Sequence, residues 1–114
     1  SGTKYRVVDT KYGKIGMNAF ETAEAYFADL GNGVIPDSGV ANICLDPIFA
    51  DTVDLAENYQ VFITNTSPRK VEWVEKEQGT FAVHGEPGAS FDWMICCKQK
   101  GYAGTRMKHI DIAD

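Results

Sequence analysis

The sharpest pattern lies in the second half of the chain. From Ser90 to Lys100, Phe91, Trp93, Ile95 and Cys97 alternate with Asp92, Met94, Cys96 and Lys98, a period of two that marks a strand with one strongly apolar face. Tyr59 to Thr64 is rich in β-branched and aromatic residues and is closed by the turn-forming run Asn65-Thr66-Ser67-Pro68, so the pattern predicts a strand and then a hairpin. Val71 to Gln78 sets Val71 and Trp73 on one face and Glu72 and Val74 on the other. Gly79 interrupts it, and Thr80 to His84 resumes the strand. A tight turn at Glu86-Pro87-Gly88-Ala89 leads into the Ser90 segment, which completes an antiparallel meander. Gly101 and Gly104 end that meander, and Arg106 to Ile112 is predicted as a short final strand.

The first half is less regular. Val40 to Asp46 reads as a strand entered through the turn Pro36-Asp37-Ser38-Gly39, which predicts a hairpin with Leu30 to Ile35. Asp46-Pro47 is an N-cap followed by proline at the first helical position. Ile48, Phe49, Thr52, Val53 and Ala56 then fall on one helical face, which predicts about two to three turns of helix. Glu21 to Leu30 fits either a helix capped at Gly31 or a strand carrying Tyr26 and Phe27. Arg6 to Val8 and Lys14 to Phe20 read as edge strands, with Gly13 and Gly16 allowing bends. The expected fold is all-β, a mainly antiparallel sandwich or curled sheet, with one short helix near residues 47–56. All 114 residues are expected in a single domain.

Composition narrows the partners. Apolar residues make up 44% of the chain, enough for a packed core. The longest apolar runs fall far short of the roughly 20 residues that span a bilayer. Eleven basic and sixteen acidic residues give a net charge of −5, which argues against a groove for nucleic-acid phosphates. Ser1-Gly2 matches the remnant of a cleaved expression tag, so the chain is expected to be excised from a longer protein. Cys44, Cys96 and Cys97 are an odd number and too few for a disulfide scaffold. Adjacent strand positions point to opposite faces, so Cys96 and Cys97 do not jointly ligate a metal, and small buried hydrophobes is the simpler reading.

Residues with catalytic chemistry are present without a recognisable spacing. His84 and His109 are isolated, and His84 alternates away from Phe81 and Val83 toward solvent. Glu75, Glu77, Glu86 and Asp92 could approach as a carboxylate pair across adjacent strands, although solvated hairpin charges are the commoner arrangement. Asp46, Asp51 and Asp54 lack the ligand spacing and central glycine of a calcium loop. Gly31-Asn32-Gly33 matches no phosphate-binding fingerprint and reads as a turn. Asn65-Thr66-Ser67 formally fits a glycosylation acceptor but is followed directly by proline. No catalytic residue, metal or cofactor is assigned. Trp73, Trp93, Tyr59 and Phe62 form either an aromatic platform for stacking on sugar or part of the sandwich core.

A set of short motifs goes further. They are Tyr12-Gly13, Ala19-Phe20-Glu21-Thr22-Ala23, Tyr26-Phe27-Ala28-Asp29-Leu30-Gly31-Asn32-Gly33, Asp46-Pro47-Ile48-Phe49-Ala50-Asp51-Thr52-Val53, Tyr59-Gln60-Val61-Phe62, Phe81-Ala82-Val83-His84-Gly85 and Ser90-Phe91-Asp92-Trp93-Met94-Ile95. In this order, over about residues 4 to 109, the chain resembles a module found near the C-termini of phage tail-fibre and receptor-binding proteins and of some stalked bacterial surface proteins. Met94 departs from that pattern, which is often acidic there. Cys96-Cys97 stands where small or basic residues are common. The resemblance implies a structural module, trimeric, that closes the end of a fibre on a virion tail or cell surface and contacts the host surface. It carries no catalytic signature. A carbohydrate-binding module for cell-wall or host glycan, with Trp73, Trp93 and Tyr59 as contacts, is the alternative, and a self-cleaving chaperone domain is a third.

Overall fold

The alternating segment Ser90–Lys98 becomes the central strand of a sheet because its apolar side faces a second sheet. In the computed structural model, which describes residues 5–18, 21–107, 109 and 110, the elements follow in the order β1 (Tyr5–Thr10), β2 (Gly13–Asn18), β3 (Tyr26–Val34), β4 (Val40–Cys44), α1 (Pro47–Ala50), β5 (Gln60–Asn65), β6 (Val71–Lys76), β7 (Thr80–Gly85) and β8 (Ser90–Lys98). Two antiparallel three-stranded sheets, β3-β8-β5 and β4-β7-β6, form a sandwich, and β1-β2 is a separate hairpin. The expected all-β class with one short helix is what the chain adopts.

Phe27, Phe91, Ile95 and Cys97 from one sheet and Ala41, Phe81 and Val83 from the other fill the space between the layers, all buried. Burying each phenylalanine contributes about 1.5–3 kcal/mol. Val8 and Met17 of the hairpin pack against this core. Lys11 N donates to Asp51 Oδ2 at 2.8 Å and so ties the hairpin tip to the body.

Most strands lie where the alternation put them, and the segment left open over Glu21 to Leu30 enters strand β3 at Tyr26, but three connections differ from expectation. The meander does not form: only β6 and β7 pair as a sequential hairpin within the sandwich, whereas β5-to-β6 and β7-to-β8 cross between the layers. The predicted hairpin of β3 with β4 is likewise an arch from one sheet to the other. The Pro36–Gly39 turn is present, with Gly39 N bonded to Pro36 O at 2.9 Å. Ile35, 1% exposed, sinks into the core just before it, and its backbone pairs with Ala89 and Gly88 of the other crossing loop, drawing the chain across.

The helix is a single turn rather than two or three. Asp46 caps it through Ile48 N and Phe49 N, and Phe49, Thr52 and Val53 are buried as predicted, but the chain leaves helical geometry after Ala50. Ile48 is exposed.

Gly31-Asn32-Gly33 is not a turn but the middle of β3. A Cβ at Gly31 would overlap the Trp93 indole, and one at Gly33 would lie 2.7 Å from Phe91 Cζ, so both glycines make room for rings of β8. A register shift between Val71 and Trp73 also changes the phase of β6. Val71 and Val74 therefore share the inner face, and Trp73 and Glu75 point outward, contrary to the simple alternation.

Of the predicted final strand, Arg106 forms one antiparallel bridge with Glu24, and residues 108, 111 and 112 lie outside the described residues. The strand predicted over 14–20 ends at Asn18, with residues 19 and 20 also outside them.

Candidate functional site

Each sheet has an outward face whose side chains are set by strand register. On β3-β8-β5, Leu30 pairs with Met94 and Met94 with Phe62, which aligns three apolar side chains in one row across the sheet. Leu30 is 70% and Phe62 52% exposed, with Met94 half-buried between them, and Val34 lies further along β3 on the same face. Cys96 follows Met94 at the next outward position of β8, half-buried. Beside this row, the gap between edge strands β5 and β6 forms a groove of about 280 Å³ lined by Gln60, Val61, Phe62, Val74 and Lys76.

On β4-β7-β6 the outward face carries Trp73, the one exposed residue among Trp73, Trp93 and Tyr59. Trp73, 53% exposed, lies parallel to the His84 ring, with centroids 4.0 Å apart and planes 7° from each other. His84 Nε2 is bonded to Glu75 Oε1 at 3.1 Å. His84 is thus half-buried beneath an indole rather than open to solvent. In the next cross-strand row Glu75, Ala82 and Asn42 lie side by side.

Trp73, Trp93 and Tyr59 do not form one platform. Tyr59 is buried at the mouth of the core, where its hydroxyl donates to Glu77 O and Thr80 O and holds the β6–β7 turn. Trp93 faces the opposite sheet, half-buried, with its ring edge-on to Phe81 at 5.5 Å. Phe62 belongs to the other outer face.

Of the carboxylates considered as a pair, Glu75 sits on one sheet and Asp92 on the outward face of the other, while Glu77 lies in the β6–β7 turn and Glu86 in the loop that crosses from β7 to β8. Asp46 caps α1, Asp51 receives Lys11 N and lies 3.6 Å from Lys100 Nζ, and Asp54 accepts Ala56 N at 3.1 Å. Asp46 and Asp54 therefore serve the backbone around the helical turn, and Asp51 ties the β1-β2 hairpin to it. Among the described residues no group of three His, Cys, Asp or Glu side chains could hold a metal ion, and no helix is long and apolar enough to cross a membrane.

One buried charge was not visible in the sequence pattern. Glu24, 7% exposed, lies 3.3 Å from Lys98 Nζ and 3.2 Å from Arg106 Nη1. Burial alone would raise its carboxyl, but the hydrogen bonds and charges of Lys98 and Arg106 outweigh that and hold it below the usual carboxylate range. Together with the backbone bond from Ala25 N to Thr105 O at 2.9 Å, the cluster docks the C-terminal segment on the sandwich. Burial acts unopposed on Cys97, whose thiol is pushed up to about 12.

Compared with known proteins, the chain matches no family model, no curated protein and no solved structure.

Proposed function

We propose that the chain is a non-enzymatic assembly module that caps the end of a fibrous protein, a phage tail fibre or a bacterial surface stalk, by packing three copies through the outer face of β3-β8-β5. The observation that carries this reading is the Leu30–Met94–Phe62 row. Polar residues at these outward positions would satisfy the strand pattern equally well, and side chains aligned by register across three strands make a continuous apolar strip rather than scattered exposure. Packing copies around an axis removes such strips from water and covers the sheet edges beside them. The resemblance to fibre-end modules supports three as the number of copies. Five of the segments that carry it fall in β3, α1, β5, β7 and β8, which include four of the six strands of the sandwich. Host-surface contact follows from a position at the tip, on a virion tail or outside the cell.

Relaxation of the Met94 methyl group by a soluble paramagnetic agent tests this directly. The methyl is expected to be shielded at high protein concentration and exposed on dilution, and equal exposure throughout would overturn the reading. A carbohydrate-binding role is the second reading, favoured by the exposed indole of Trp73.

A further inference from the structure

We infer that the outer face of β4-β7-β6 carries a saccharide-binding site in which Trp73 is the stacking surface, Glu75 the hydroxyl acceptor and His84 the group that holds the indole. This takes up the second reading above and is independent of the assembly interface, which lies on the other sheet.

The argument starts from how Trp73 is held. An exposed indole on a free side chain would sample several rotamers, and a ligand would have to order it on binding. Here one π-face lies on the imidazole of His84 at 4.0 Å, and the imidazole is itself fixed by Glu75. Trp73 is still 53% exposed despite the stack, so a large part of the ring is left free for a ligand. A large aromatic surface locked in one orientation and left uncovered has much of its ordering cost removed before any ligand arrives.

The surroundings select the ligand class. An indole face attracts either the C–H side of a pyranose ring or a cation. The Glu75 carboxylate would draw a cation too, but it and the Asn42 amide also hydrogen-bond hydroxyls, which a pyranose presents around its ring and a quaternary ammonium lacks. Glu75 uses Oε1 on His84, which leaves Oε2 without a bond among the described residues and able to accept a ring hydroxyl in a charge-assisted bond. The small side chain of Ala82 keeps the surface beside the stack low, and Asn42 on its far side offers an amide to a second sugar unit. β6 is an edge strand, so an extended glycan can run past the ring without meeting another strand.

The test is a titration of the full ¹⁵N-labelled chain with methyl β-D-glucoside, D-galactose and N,N′-diacetylchitobiose, each into the millimolar range, and separately with tetramethylammonium. The chain has two tryptophans and so two indole N–H signals, which Trp73→Phe assigns. At least one saccharide is expected to shift the Trp73 signal saturably while Trp93 stays still. Trp73→Ala should abolish the remaining shifts around Glu75, and Glu75→Gln should weaken binding about tenfold with an unchanged melting temperature. The inference is overturned if no saccharide in the panel moves Trp73, if the same shifts persist in Trp73→Ala, or if only tetramethylammonium saturates. Repeating the titration with the Leu30→Lys, Phe62→Lys double variant separates the two proposals, because binding at Trp73 should survive the loss of assembly.

Discussion

Gly31 sits where any side chain would meet the indole of Trp93, so the ring lies against bare backbone and β3 and β8 pair without a gap. Gly31→Ala is therefore expected to destabilise the chain by about 1–3 kcal/mol, read as a lower urea midpoint with unchanged slope. The three cysteines differ by environment rather than by sequence context. Cys44 is exposed, Cys96 half-buried and Cys97 buried with its thiol pushed up to about 12, so a thiol reagent should modify Cys44 first and Cys97 only on unfolding. Peptide mass spectrometry over time checks this order.

Glu24 sets a pH dependence at the same scale. Its folded carboxyl is held below the ordinary value, so its contribution is complete above the unfolded carboxylate range and is lost as pH falls through the folded value. Lys98, raised by its bond with Glu24, adds a contribution that is lost only at strongly alkaline pH. Melting temperature should fall on acidification, and Glu24→Gln should flatten that acid limb. An acid limb identical in the variant would contradict the role given to Glu24.

At the scale of elements, most strands were legible because alternation is local, and their partners were not because pairing is set by burial at a distance; β3 was the exception, since its glycines read as a turn and period left Glu21 to Leu30 open. The run from Phe91 to Lys98 named its inner face correctly, since that face meets the second sheet along its length. The turns at Pro36–Gly39 and Glu86–Ala89 were also correctly placed. Whether a turn folds back within a sheet or arches between sheets depends on Ile35 and Ala89, which bury and bond to each other from distant parts of the chain. The bulge at Glu72 moved Trp73 outward and left no signal in the alternation. The row of Leu30, Met94 and Phe62 was hidden for the same reason, because it exists only once β3, β8 and β5 are in register.

The β1-β2 hairpin depends on its anchors in a similar way. A lone two-stranded hairpin is marginal in water, and this one is tied to the body through Asp51, Val8 and Met17. Asp51→Ala should speed amide exchange across residues 5–18 while leaving β8 protected.

The whole molecule measures 60 × 32 × 28 Å, a sandwich with an apolar row on one outer face and a stacked indole on the other. The proposed division assigns the β3-β8-β5 face to neighbouring copies and leaves the β4-β7-β6 face, with Trp73, turned to the surroundings. The net charge of −5 fits a fibre end that stays dispersed while its apolar strip is covered. Sedimentation equilibrium of the chain beside its Leu30→Lys, Phe62→Lys variant tests the central claim most directly. The account predicts a trimeric mass for the chain and a folded monomer for the variant, whereas a monomer for both, or an unchanged oligomer in the variant, would contradict it.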